Sequence, residues 1–303
     1  MSLPVCVKEN VSLKKHCYYR IGGNALYFAT PRNIDELPEL VAWIKKNQLR
    51  YYILGAGSNT LFDDLGFNGV VINTSELDTR LTLEGETVDA GCSVTNIQLL
   101  RLCMREGLRG LDFLVGIPGN VGGAVFMNAG TQKGEVVDSV FEVSAYNLAN
   151  EKIRSYSTNK KSFIYRSQTF LAPHEIIIRS KFRISRDQPE RVQNDIQDLL
   201  LKRKKSQPID KPSCGSVFQN PSATQSAWKL ISDAGLRGRR AGDAEISTMH
   251  CNFIVNNGNA KSADVRSLIE LAKKEVKAQF GILLKEEVKI IPQSGGILLG
   301  DHK

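Results

Sequence analysis

Several familiar chemistries need residue arrangements that this chain of 303 residues lacks. There is no Cys-x-x-Cys pair. The six cysteines, at positions 6, 17, 92, 103, 214 and 251, are scattered, which disfavours a zinc ribbon or a disulfide scaffold and leaves them as small buried or half-buried residues. No metal site is expected. No apolar run approaches the ~18 residues of a membrane span, so no membrane partner is expected. Charges stand in Met1–Lys15 where the apolar stretch of a secretory signal would lie, and a cytoplasmic chain is expected. Neither a G-x-S-x-G elbow nor a Walker A motif occurs. The only imidazoles are His16, His174, His250 and His302, each read as a surface or hydrogen-bonded structural residue, which makes a Ser-His-Asp hydrolase a poor fit.

What is present is an ordinary globular composition, 42% hydrophobic and 24% charged. The net charge of +8, from 40 basic against 32 acidic residues, suits an anionic ligand. Nucleic acid is the rival class. The one concentrated basic run, Lys202–Lys205, reads as a solvated helix end favoured by the helix dipole, and no aromatic residues interleave with it as a nucleic-acid platform would require.

Hydrophobic spacing predicts a helix over Glu36–Lys46 and a buried strand over Tyr51–Leu54. Ser93 reads as the cap of a helix from Val94 to Arg105, with Ile97, Leu100 and Met104 on one face and Gly107 ending it. Glycines at 116, 119, 122, 123 and 130 are expected to interrupt any helix between Gly110 and Gly134. Strands are expected over Val136–Tyr146 and Glu175–Ser185, with an aromatic and cationic loop, Lys160–Ser167, between them. A polar helix after Asp187 marks the main boundary. Beyond it Ser226–Asp233 and Ser262–Phe280 read as helices, Asn252–Asn256 and Glu287–Ile291 as strands, and Ser294–Lys303 as a mobile tail. The units are thus 1–75, 76–186 and 187–303.

Two glycine segments stand out. Gly55-Ala56-Gly57-Ser58-Asn59 follows directly on a strand, yet Thr60 occupies the third glycine position of a dinucleotide fingerprint. Gly116-Ile117-Pro118-Gly119-Asn120-Val121-Gly122-Gly123 spaces glycines at three-residue intervals, and Asn128-Ala129-Gly130 follows. Tight turns alone would account for the first. Two such segments in one region suit backbone N–H groups that cradle a phosphorylated ligand, a pyrophosphate being the simplest. Ser216 by itself reads as a turn or cap hydroxyl, Arg166 as a loop cation and Glu287 as a solvated strand end.

In order along residues 10–292, Tyr19-Arg20-Ile21-Gly22-Gly23, Gly55–Asn59, Gly116–Gly123, Met127–Gly130, Tyr165-Arg166, Cys214-Gly215-Ser216-Val217-Phe218 and Glu287-Val288 together resemble the UDP-N-acetylenolpyruvoylglucosamine reductases of peptidoglycan precursor synthesis, in their shorter second form. The resemblance implies an α+β fold: an FAD-binding domain of the vanillyl-alcohol-oxidase type in two α+β subdomains, then an α+β substrate domain. It implies dissociable FAD held by Gly55, Ala56, Gly57, Ser58, Asn59, Gly116, Ile117, Pro118, Gly119, Gly122, Gly123, Asn128, Ala129 and Gly130. NADPH is the implied reductant and an enolpyruvyl nucleotide sugar the implied substrate, contacted by Tyr165, Arg166, Gly215 and Asn220. Hydride would pass from flavin N5 to C3. Ser216 would give the proton to C2, while Arg166 and Glu287 stabilise the enolate-like charge. Departures fall at Thr131–Glu135, Gln219, Ala241 and Met249. A monomer is expected. The competing readings are an FAD-dependent alcohol or sugar oxidase of the same fold and a basic binding module for nucleic acid.

Overall fold

Strand-forming β-branched and aromatic runs alternate with amphipathic helices, and a computed structural model, describing residues 2–299, folds them around successive cores. The first sheet runs Val7–Ser12, Asn24–Ala29, Phe67–Asn73, Arg50–Leu54, Ile297–Leu298. Its three inner strands are parallel and its two outer pairings antiparallel. Helix α1, Leu37–Lys46, starts with Pro38 in its first turn, where no intrahelical partner for the missing N–H is needed. Leu37, Leu40, Val41 and Ile44 recur at helical spacing and are fully buried against the sheet.

The tail departs from expectation. Ile297–Leu298 adds a strand to Arg50–Leu54, and Leu299 packs on the first core. An apolar Ile-Leu-Leu run offered to an open sheet edge has a partner for its backbone, which a merely polar tail would not. Residues 300–303, the remainder of that expectation, lie outside the described residues.

The second sheet is wholly antiparallel, in the order Lys152–Ser157, Val140–Asn147, Glu175–Arg183, Thr87–Gly91, Leu81–Glu84. Helix α2 is Asn96–Glu106, and its cap is Thr95, not Ser93: Thr95 and Gln98 form a reciprocal capping box. Ser93 instead donates to the Thr74 carbonyl at 2.7 Å and accepts from Asp78 N–H. Gly107 ends the helix in the left-handed conformation, as expected. Ile97 is exposed, and the buried face is Leu99, Leu100, Leu102 and Cys103.

A second correction concerns the glycine-rich stretch, since Val121–Phe126 forms a short helix, α3, despite Gly122 and Gly123. Gly122 is there because a Cβ would come within 2.9 Å of the Cys92 Cβ; the helix is held by packing, which outweighs the roughly 1 kcal/mol propensity penalty of each glycine. Val136–Asp138 is a single 3-10 turn, so the strand begins at Val140. Helix α4, Pro189–Ser206, packs on α2, with Val192 and Ile196 in the second core.

A third core follows. Helices α5, Ala227–Asp233, and α6, Ser262–Phe280, join a small antiparallel sheet, Arg240–Ala241, Ala244–Ile246, Ile254–Asn256. It is tied to the first unit by chain pieces far apart in sequence. Lys289–Ile291 pairs in parallel with Thr60–Phe62, Tyr19 and Leu61 enter the third core, and Asp64 accepts hydrogen bonds from Ser262 and Ala263 at the start of α6.

Gly57, in the turn that leads into Thr60–Phe62, is tightly packed within the first unit. It has φ +68°, and a Cβ would lie 2.0 Å from the His16 carbonyl oxygen. Gly57→Ala is expected to destabilise the protein by about 1–3 kcal/mol, read as a lower denaturant midpoint; an unchanged midpoint would show that this turn can relax.

Candidate active site

Phe163–Ile164 and Ser167–Gln168 pair as a tight hairpin whose turn is Tyr165-Arg166. Arg166 sits at φ +57°, a costly conformation for a residue with a Cβ, and buried Phe163 anchors the hairpin beneath it. The turn aims the guanidinium inward. Nη2 donates to the Gly130 carbonyl at 3.0 Å, Nη1 to the Asn128 carbonyl at 3.5 Å, and Nε lies 3.1 Å from Glu287 Oε1. Tyr165, partly exposed, stacks under this cation at 4.9 Å.

Glu287 is gripped from two sides. Its N–H donates to the Val217 carbonyl at 2.8 Å, and its own carbonyl accepts from Asn59 Nδ2 at 3.1 Å. Ser216, immediately before Val217, is therefore beside Glu287 in the fold. Ser216 is half-buried, and its hydroxyl has no hydrogen-bond partner among the described residues. Burial pushes the Glu287 carboxyl above the ordinary carboxylate range, although Arg166 and Lys289 pull the other way.

The glycine segments divide by role. At Gly55, Gly123 and Gly215 a Cβ would meet nothing within 4 Å, whereas Gly57, Gly122 and Gly130 are packed against other chain atoms. The two segments meet where a Cβ on Gly119 would touch Ser58 Oγ at 3.0 Å. Ala56, Ser58, Ile117 and Ala129 are half-buried near them and Pro118 is exposed. Asn96 donates to the Ile117 carbonyl, and its Oδ1 is buried without a partner. A buried orphan acceptor near Gly119 is what a polar ligand would complete. Asn59 and Asn128 bond to other segments of the chain: Asn59 donates to the Glu287 carbonyl, while Asn128 bonds Glu135, Ile164 and Val137. Asn220 accepts from Ala227 N–H at the start of α5.

Arg203 was read from sequence as part of a solvated helix end, and the structure corrects that. It is turned inward over Gly116, where a Cβ would lie 2.9 Å from its Cδ, and donates to the Val115 carbonyl at 2.8 Å. Burial, and then the nearby Arg166, lower its pKa. The signal was in the spacing: 192, 196, 199 and 203 fall on one helical face. A separate cavity of about 290 Å³, lined by Arg109, Phe113, Lys133 and Arg183 among others, includes none of the predicted site residues.

Among the described residues no three His, Cys, Asp or Glu side chains gather as a metal site, and no helix is long and apolar enough to cross a membrane.

Residues 25–157 match the family described as FAD binding domain, and residues 207–291 match that of the UDP-N-acetylenolpyruvoylglucosamine reductase C-terminal domain. The UDP-N-acetylenolpyruvoylglucosamine reductase of Geobacter metallireducens is 40% identical over 92% of this chain and 92% of its own. The chain belongs to the UDP-N-acetylenolpyruvoylglucosamine reductase family. Reductase 2 of Bacillus cereus is 36% identical over 94% of this chain. The crystal structure of the Thermus caldophilus reductase superposes with a TM-score of 0.79 at 34% identity, covering 93% of this chain and 98% of that one. As a member of this family the chain is an FAD-dependent oxidoreductase, with an FAD-binding region of the vanillyl-alcohol-oxidase type followed by the family's C-terminal domain.

Two expectations follow. Gly55→Val places a side chain in open space, so it should leave the stability of the FAD-free protein within about 0.5 kcal/mol yet weaken FAD at least tenfold; unchanged FAD affinity would remove Gly55 from the cofactor wall. His250 is packed edge-on to Phe253, with burial the main cause holding its pKa down at about 4. The unfolded chain takes up that proton near pH 6.5, so folding stability should fall as pH drops through the interval between them. A His250→Gln variant should show a flatter acid limb in a melting-temperature profile; identical limbs would exclude His250 as the cause.

Proposed function

We propose that this chain catalyses the NADPH-consuming, FAD-dependent reduction of UDP-N-acetylglucosamine enolpyruvate to UDP-N-acetylmuramate in peptidoglycan precursor synthesis. The observation that carries this reading is the Arg166–Glu287 contact at 3.1 Å next to Ser216, in a wall of open glycines. Dissociable FAD fits that wall: Gly55, Gly123 and Gly215 leave room for close approach, and Asn96 Oδ1 offers an unused acceptor. Bound FAD, reduced by NADPH, supplies hydride from N5 to the vinyl C3 of the substrate.

The chain's own residues deal with the charge and the proton that this addition leaves. Electron density moves through C2 into the substrate carboxylate, and the fixed guanidinium of Arg166 stabilises it without reorganising. Glu287 can join only as a proton-bearing donor, which its raised pKa supports. The Ser216 hydroxyl gives its proton to C2; a carbanion-like carbon is basic enough for a weak acid placed against it. Tyr165 and Gly215 border the same space. Asn220 contributes through the start of α5, and a single cytoplasmic copy of the chain suffices for this chemistry.

Ser216→Ala should leave flavin reduction by NADPH intact while slowing reoxidation by substrate at least a hundredfold, read by anaerobic stopped-flow absorbance. Equal loss in both steps would reject Ser216 as the proton donor. Reoxidation should also fall as the pH rises through the raised pKa of Glu287 and its proton is lost, and the Glu287→Gln variant should lose that limb; a limb that survives in the variant belongs to another group.

A further inference from the structure

Arg166 touches a second carboxylate that the reading above does not use. Glu135 Oε1 lies 3.6 Å from Arg166 Nη1, an ion pair longer than a hydrogen bond. The position of this carboxylate is heavily determined. Its other oxygen accepts from buried Asn128 at 2.9 Å, its backbone N–H donates to Asp138 at 2.8 Å, and Asp138 N–H bonds back to its side chain. Glu135 also pairs with Gly130 across the hairpin Gly130–Thr131, Gly134–Glu135, and the Gly130 carbonyl is itself an acceptor for Arg166. One short hairpin thus presents the guanidinium with a carbonyl and a carboxylate.

We propose that Glu135 is a positioning residue for Arg166, serving as its anionic partner in place of Glu287. This rests on the reading of Arg166 and Glu287 as the groups that face the substrate carboxylate. The charges around the pair give it a physical reason. Arg166 has a second cation, Arg203, near it from α4, and two arginines with no anion would repel one another and draw the proton off Glu287. The charged groups acting on Glu287 are Arg166 from the Tyr165-Arg166 turn and Lys289 two residues along the chain. Asn59 and Val217 engage only its backbone, and neighbouring Glu286 is turned to Lys273 at 2.8 Å. With Glu135 taking up the charge of Arg166, Glu287 can keep its proton and still stay within reach of the guanidinium.

The test uses the FAD-loaded enzyme and the two half-reactions. Glu135→Gln should leave flavin reduction by NADPH within about twofold of the parent, and slow reoxidation by the enolpyruvyl nucleotide sugar about 10- to 100-fold as Arg166 loses its register. The limb that marks loss of the Glu287 proton should move about one pH unit lower, because Arg166, no longer shared with Glu135, acts on Glu287 alone. A merely structural glutamate would lower the melting temperature and leave that limb where it was, which would overturn the proposal, as would an unchanged rate. If Glu135→Gln does not hold FAD, Glu135→Asp keeps the charge: a slower rate with the limb in place is expected, and a shifted limb contradicts the proposal. Arg166→Ala separates the two readings. Undiminished reoxidation in Arg166→Ala would sink the role of Arg166 itself; impaired reoxidation there with a parent-like Glu135→Gln would sink only the part assigned to Glu135.

Discussion

The parallel pairing of Thr60–Phe62 with Lys289–Ile291 is the constraint on which the candidate site depends. It joins the strand-following turn of the first unit to the last strand of the third, more than two hundred residues away in sequence. Asn59 and Lys289 exchange hydrogen bonds with the opposite segments at the mouth of that pairing, so Glu287 emerges beside the Gly55–Asn59 turn. Val217 completes the arrangement from the third unit and brings Ser216 with it. Thr60, Leu61 and Phe62 are all buried, so the pairing lies inside the protein.

Electrostatics at the site follow from burial more than from the number of charges. Arg166 and Glu287 are each mostly shielded, with side chains 17% exposed, and a shielded ion pair adds little net stability because both partners lose water. Its value is geometric. The pair fixes where a guanidinium and a carboxyl stand, and the strained φ of Arg166 is a local cost carried by the surrounding fold.

Much of the fold was legible because it rests on local signals. The apolar spacing of Leu37, Leu40, Val41 and Ile44 gave α1, and Gly107 and Gly281 mark the ends of α2 and α6 through their left-handed conformations. Misreadings arose where packing overrode local preference. Gly122 sits in a helix where Cys92 leaves no room for a side chain, and Ile297–Leu298 is ordered by a sheet edge that sequence does not display. The motif blocks pointed to Arg166, Ser216 and Glu287 as candidates, but their mutual arrangement depends on long-range pairings. Arg203 was hidden within a basic run, and Glu135 within a segment that departs from the familiar motif. Asn59 and Asn128, expected from the motif blocks as cofactor contacts, also hydrogen-bond to backbone groups of neighbouring segments.

The central claim is that one pocket runs two half-reactions through flavin. An anaerobic absorbance titration of the purified protein tests it most directly, with one equivalent of NADPH followed by the enolpyruvyl nucleotide sugar. The account predicts a yellow protein that bleaches with NADPH and regains its colour only when the sugar is added. A protein that stays bleached in the presence of the sugar, or that cannot be reconstituted with FAD at all, would contradict it.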